Sequence, residues 1–431
     1  MFLQHSYPVS GKYRVIRPGL WRLSTATCAM LVSSCTAILI ARVLGPADFG
    51  IYMFVLWIAT VTVPAIGVGM STVTSRHIAE IQASAELRIV AGVFQFVWQR
   101  QYKSILVYCV MYLCLAFPIS WLFGASAPLL LLFLAGLSAL PLLLSSVAGT
   151  TLRSLRHFDL LATIHLFAVV STLLLMLLAT QFQGNQVGIF LLASAVACTL
   201  TLAMALICIV RLLPMKQALQ PGIMLRDRLT RGLNNSLLLF TLDVIVWQRS
   251  EMVWLARGHS LASLGFYALS VTISTHVIDI SPTLFSTCIL PLVLRYVPGQ
   301  RYTNASDAFV KTSWYITCLA VPLCLGAIVF CPALISFCFG NVYLPAVTPL
   351  RILLISAAFG SVSTVSLTHL ANSKRRDAQV WLGVAAAVLN VVLAIPLIAL
   401  WGMVGAALAS AAAQIVSATG SIVLCKKLML G

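Results

Sequence analysis

Residues 187–210 read Val-Gly-Ile-Phe-Leu-Leu-Ala-Ser-Ala-Val-Ala-Cys-Thr-Leu-Thr-Leu-Ala-Met-Ala-Leu-Ile-Cys-Ile-Val, without a charged side chain. A helix crossing the hydrocarbon core of a bilayer needs about 20 such residues. In lipid every backbone N–H and C=O must be satisfied within the fold, so a run of this kind is a helix. A transmembrane barrel would instead alternate apolar and polar positions over roughly ten-residue segments. No such alternation is present.

Comparable runs lie at 24–41, 50–72, 105–123, 128–149 and 160–180, and, after a polar stretch, at 233–254, 264–290, 313–331, 346–368, 378–400 and 403–424. The expectation is an all-α polytopic membrane protein of about twelve spans. The first run is longer than the apolar region of a secretory signal and is read as a retained span. Composition agrees: 61% of residues are hydrophobic, 9% are charged and the mean hydropathy is +1.02. Soluble domains carry about 25% charged residues.

The net charge of +17 resembles a nucleic-acid signature until the charges are placed. With a cytoplasmic N-terminus, 23 of the 27 Lys and Arg residues fall on the cytoplasmic side. Only Arg42, Arg249, Arg257 and Arg351 are left for the membrane or the outer side. That is the positive-inside bias. It reports topology, with both termini cytoplasmic, and contact with anionic membrane lipids; no nucleic-acid partner is implied. The twelve cysteines are scattered through the spans with no CxxC or Cys/His cluster, so they read as small apolar packing residues. Neither a metal site nor a cofactor is expected.

Cut near its middle, the chain repeats. Ala41-Arg42 followed by Gly50-Ile51-Tyr52 recurs as Ala256-Arg257 followed by Gly265-Phe266-Tyr267, an offset of 215 (257 against 42). Arg156-His157-Phe158-Asp159 is matched by Lys374-Arg375-Arg376-Asp377 at an offset of 218, and Val187-Gly188 by Val404-Gly405 at 217. Each half then holds six spans, an even number, and both insert the same way round. Residues 1–215 and 216–431 are therefore expected to form two six-helix lobes related by a pseudo-two-fold axis along the membrane normal. The polar stretch 211–232 is the linker. Two such lobes can rock about a central cavity, which is a transporter architecture. The expected outer connections are too short for a catalytic domain, and no DxD pair, Gly-rich phosphate loop or HExxH occurs. An enzyme is not expected.

The segment Ala41-Arg42-Val43-Leu44-Gly45-Pro46-Ala47-Asp48-Phe49-Gly50-Ile51-Tyr52 resembles the first hairpin of the polysaccharide-biosynthesis flippases. These belong to the multidrug/oligosaccharidyl-lipid/polysaccharide exporter superfamily. Leu264-Gly265-Phe266-Tyr267, Phe339-Gly340-Asn341-Val342-Tyr343-Leu344-Pro345, Val388-Leu389-Asn390 and Gly402-Met403-Val404-Gly405 extend the resemblance over nearly the whole chain. It implies flipping of a lipid-linked, polyprenyl-diphosphate oligosaccharide across a bacterial inner membrane, for O-antigen, lipopolysaccharide, capsule or exopolysaccharide. The implied partners are a polysaccharide polymerase or glycosyltransferases, and a coupling cation or proton.

A diphosphate crossing hydrocarbon calls for cationic groups, and Arg suits it through bidentate geometry. Arg42, Arg249, Arg257 and Arg351 are the candidates for substrate binding. The competing reading for Arg42, Arg257 and Arg351 is that they cap span ends and snorkel to the interface. The seventh span places Asp243, Trp247, Ser250, Glu251 and Trp254 on one helical face, with Arg249 roughly 120° from Asp243. The eighth carries Thr272, Thr275, His276, Asp279, Thr283 and Ser286, with His276 and Asp279 at i,i+3. Ionisable groups at membrane depth face a cavity or a partner. Asp243, Glu251, His276 and Asp279 are thus the candidates for ion or proton coupling, or else form a structural polar set between the two helices. The alternatives in function are an ion-coupled drug/cation antiporter of the same superfamily and, less favoured, a membrane glycan polymerase or ligase. The polymerase should carry a large outer loop, and the chain has none.

Overall fold

A computed structural model describes residues 16–82, 87–124, 128–155, 157–217, 219, 251–258, 260–284, 305–372 and 376–430. The described residues form α1 (Ile16–Gln82), α2 (Leu87–Phe123), α3 (Leu129–Ser154), α4 (Phe158–Ala179), α5 (Gln186–Leu212), α6 (Glu251–Gly258), α7 (Leu261–Leu284), α8 (Ala305–Cys338), α9 (Val347–Asn372), α10 (Arg376–Trp401) and α11 (Met403–Leu430). No strand occurs among them.

Among the described residues, ten helices are long and apolar enough to cross a membrane. The expected count of twelve is recovered from two details. The first and second expected spans are the two arms of α1, which breaks at Gly45 with φ 73 and ψ 172. Pro46 has no N–H for the helical ladder, and the left-handed backbone before it falls to the one residue without a Cβ. The seventh expected span is described only as α6, eight residues long. Some helices outrun the apolar runs that announced them. α2 begins at Leu87 where the sequence suggested 105, and α8 covers 34 residues. A span needs only about 20 residues, so these helices continue past the hydrocarbon as ordinary helix.

Within the first half α1 packs on α2, α3 and α4, and α5 packs on α3 and α4. Within the second, α9 packs on α7, α8 and α11, while α10 packs on α6 and α11. Lipid offers no hydrophobic drive for this, so close approach of small residues does the work. The α9–α11 contact fits, with Ser356, Ser361, Ser410, Ser417 and Ser421 all buried. The second arm of α1 and helix α7 make the principal contact between halves. One core runs across that contact, joining Ala41, Phe49 and Tyr52 to Leu264, Tyr267 and Tyr343. At the other end of the first half, Val90–Val97 of α2, Val147–Leu155 of α3 and its end, and Ala205–Leu213 of α5 and its end contribute to a separate core, without a described residue of the second half. Among the described residues, the principal contact between the halves lies at the one end, where the shared core runs.

Candidate functional site

The contact between the halves is built from the repeat itself. Gly50 and Gly265, equivalent in the two halves, touch backbone to backbone. A Cβ on Gly50 would lie 2.5 Å from the Leu261 carbonyl oxygen and 2.8 Å from the Gly265 nitrogen. A Cβ on Gly265 would overlap the Pro46 carbonyl. Neither contact leaves room for any other residue type without moving a backbone. A motif meeting its own copy across the boundary is the mark of a two-fold relation between the halves.

Two side-chain contacts flank the glycines. Arg42 donates from Nε to the Cys338 carbonyl and from Nη2 to the Phe337 carbonyl, both at 2.6 Å. These carbonyls lie in the last turn of α8, where helices leave acceptors unsatisfied and where the dipole favours a cation. The Tyr343 hydroxyl donates to the Ala41 carbonyl at 2.7 Å. Its ring lies edge-on to Phe49 of the first half and to Phe266 of the second, with centroids 6.3 and 5.9 Å apart. The seam is thus held by a guanidinium, a phenol and two bare backbones.

The four candidate arginines are placed differently. Arg42 is exposed but its donors are committed across the seam. Arg257, its repeat counterpart, closes α6 and is also exposed. Its guanidinium makes no hydrogen bond to a described residue. Arg351 sits in the first turns of α9, exposed, with Nε 3.4 Å from the Ile328 carbonyl. Arg249 lies outside the described residues. The structure therefore brings Arg42 to the boundary between halves and leaves Arg351 on an outer surface of α9.

Among the coupling candidates, Glu251 is fully buried at the start of α6. The Asn390 side chain of α10 donates from Nδ2 to Glu251 Oε1 at 2.8 Å. Asn390 Oδ1 is itself buried with no hydrogen-bond partner among the described residues. Two oxygen-bearing side chains thus meet in the interior of the second half. His276 is half-buried on α7, which packs on α6. Asp243 and the side chain of Asp279 lie outside the described residues. No group of three or more His, Cys, Asp or Glu able to hold a metal occurs among the described residues. Oxygen donors of the Glu251–Asn390 type suit a proton or a hard cation, not a transition metal.

Residues 39–348 match the family described as polysaccharide biosynthesis protein. The chain belongs to that family. The match spans the seam residues of both halves, from Ala41 to Tyr343. No curated protein sequence matches this chain. Among solved structures it is similar to the lipid II flippase MurJ in an inward closed conformation, at 14% identity and a TM-score of 0.69, over 94% of this chain and 87% of that one. It is similar at the same identity and TM-score to a multidrug resistance MATE family transporter of the MOP superfamily in an inward-facing conformation, over 96% and 98%. An outward-facing MATE structure of that superfamily gives 11% and 0.55, over 96% and 95%. At such identities the likeness establishes the fold, two six-helix lobes about a pseudo-two-fold axis.

The residue sequence reasoning missed is Asn390. In the sequence it marks only the family resemblance, although an amide inside an apolar run is costly to leave unpaired and points to a polar neighbour. Also missed is a cavity of about 320 Å³ inside the first half, between both arms of α1 and helices α3, α4 and α5. Thr272 of α7 lines it from the second half. Ser and Thr scattered over five helices make no motif, so nothing in the linear order marks it.

Proposed function

We propose that this chain flips a polyprenyl-diphosphate-linked oligosaccharide across the cytoplasmic membrane for cell-surface polysaccharide synthesis, by alternating access between lobes 1–215 and 216–431. The observation that carries the reading is the seam itself, a closure between the halves built from a repeated motif. The halves meet through Gly50, Gly265, Arg42 and Tyr343 at the end the charge bias assigns to the outside. The first half keeps a core of its own at the other end. The better match to the inward-facing than to the outward-facing MATE structure supports the same state.

In this state Arg42 neutralises carbonyls of α8. Once the lobes part at the outer end, those donors are released and face the opening, where a diphosphate passing through meets Arg42 and Arg257. Each charge-assisted bond is worth about 1.5–3 kcal/mol, so exchanging carbonyls for phosphate oxygens leaves the guanidinium satisfied on both sides of the cycle. Arg249 and Arg351 stay in the proposed set as flanking cations. Glu251, with Asn390 beside it, is the group we assign to the coupling ion or proton. Asp243, His276 and Asp279 are the further candidates on the same pair of spans.

Proteoliposomes holding the full chain and a fluorescent polyprenyl-diphosphate oligosaccharide test the reading. The expected result is glycolipid reaching the opposite leaflet at a rate that empty liposomes do not show. Absence of flipping, together with export of a cationic dye against an ion gradient, would replace it with a drug/cation antiporter. The buried Glu251 is the feature that favours that second reading.

A further inference from the structure

The cavity in the first half bears no Asp, Glu, Lys or Arg on its lining. Its polar groups are mainly hydroxyls, and six of them have their donors engaged. Thr36 donates to the Val32 carbonyl at 2.9 Å, Ser138 to Ala135 at 2.6 Å, Thr172 to Ala168 at 2.7 Å and Ser194 to Leu191 at 2.7 Å. Thr60 donates to the Leu56 carbonyl at 2.8 Å and Thr272 to Ala268 at 2.9 Å. A hydroxyl has one donor and two acceptor lone pairs. Bonded back to their own helices, these side chains present oxygen lone pairs to the cavity. Most of the rest of the lining is apolar, with Phe49 and Tyr52 beside Ile40 and Leu56.

We infer that this cavity is the seat of a sugar portion of the transported glycolipid, an inference that rests on the flippase reading above. A diphosphate is excluded, because a charge in a neutral, largely apolar cavity loses its hydration without recompense. A sugar ring matches: its hydroxyls donate to the six oxygens and its C–H faces lie against the apolar wall. The volume stands at the low end of the roughly 300–1,000 Å³ of ligand pockets, enough for a short stretch of glycan and not for a whole long repeat. Ile40 and Phe49 on the lining flank the Gly45 break, with Arg42 close by in sequence. Anion and sugar are thereby sorted, the first to the cationic seam and the second to the neutral cavity beside it.

The test measures equilibrium binding to the full chain in nanodiscs of two radiolabelled probes: polyprenyl-diphosphate oligosaccharide purified from the host cells, and polyprenyl diphosphate without sugar. The double variant Thr36→Val/Thr172→Val keeps the shape of the wall and removes two acceptors. It is expected to weaken glycolipid binding by roughly 10-fold and to leave the sugar-free probe unchanged. Thr36→Ser/Thr172→Ser restores the hydroxyls and should recover binding, and Ser194→Leu, which fills the cavity, should lose it again. Equal weakening of both probes, or of the sugar-free probe alone, assigns the cavity to the isoprenoid chain and overturns the inference. So does an unchanged affinity for the glycolipid. If the wild-type chain binds neither probe, the flippase reading itself falls, and this inference with it.

Discussion

The same two places in the two halves have been put to opposite use. At the offset of 215 that relates Arg42 to Arg257, the counterpart of Glu251 is Thr36. At the offset of 218 that relates the loops before α4 and α10, the counterpart of Asn390 is Thr172. In the second half the pair is closed, carboxylate to amide at 2.8 Å, and Glu251 is fully buried. In the first half both threonines line a cavity and bond only to their own helices. A shared backbone plan thus holds an ionisable, buried pair on one side and two cavity-lining hydroxyls on the other. The difference teaches that a repeat fixes where side chains meet and leaves open what they do there.

The largest expected effect comes from the place where the halves do agree. Gly265→Leu drives a side chain into the Pro46 carbonyl, and overpacking of this kind costs about 3 kcal/mol at the upper end of its usual range. Closure of the outer end should become roughly 100-fold less favourable, read as thiol accessibility of a cysteine placed at the buried seam position Leu264, with transport falling in step. Gly50→Leu should do the same. A large effect in one and none in the other would break the symmetry argument.

Glu251→Gln, next in size, keeps the shape of the buried pair and removes its charge. Ion-gradient-driven transport is expected to drop by more than about 10-fold while the protein remains folded and gradient-free exchange persists. Thr36→Val, the counterpart change, should leave the gradient dependence untouched. Equal loss of gradient dependence in both variants would mean that coupling is not confined to the second half.

Arg42→Ala removes two charge-assisted bonds from the end of α8. Because Arg42 is exposed, water competes for both bonds and the net loss is about 1.4 kcal/mol. A roughly 10-fold shift toward the outer-open state is expected, visible in the same accessibility measurement, and Arg42→Lys should recover only part because it is a point charge without the fork. Arg257→Ala, which has no such bond to lose among the described residues, should shift that equilibrium little. Smallest is Tyr343→Phe, which removes one neutral hydrogen bond worth about 1 kcal/mol and keeps the ring contacts. A shift of about 5-fold is expected, and none at all would show that the aromatic packing alone holds the phenol side of the seam.

Much of this fold was legible in the sequence because lipid leaves few choices. A run such as 187–210 has to be helix, and α5 covers Gln186–Leu212. The gap of two residues between the runs 378–400 and 403–424 announced a tight connection, and α10 ends at Trp401 with Gly402 at φ 55 before α11 begins. The repeat of Gly50 as Gly265 was legible as pattern, but that the two residues touch was not, since periodicity carries no distance between halves. Arg42 stood out as a rare outer cation. Its carbonyl partners lie 295 and 296 residues away, and no local signal joins them. The cavity was the least legible, because its walls come one or two side chains at a time from separate helices and are defined by what is missing between them.

The glycine contact carries one consequence for origins. Because each glycine rests against its own duplicate, the joint requires no covalent link between the partners. A polypeptide of half this size, inserted in a single orientation, would form an equivalent joint with a second molecule of itself. Fusion would preserve that joint while releasing each copy to drift, one toward ionic chemistry and the other toward a vacant neutral chamber.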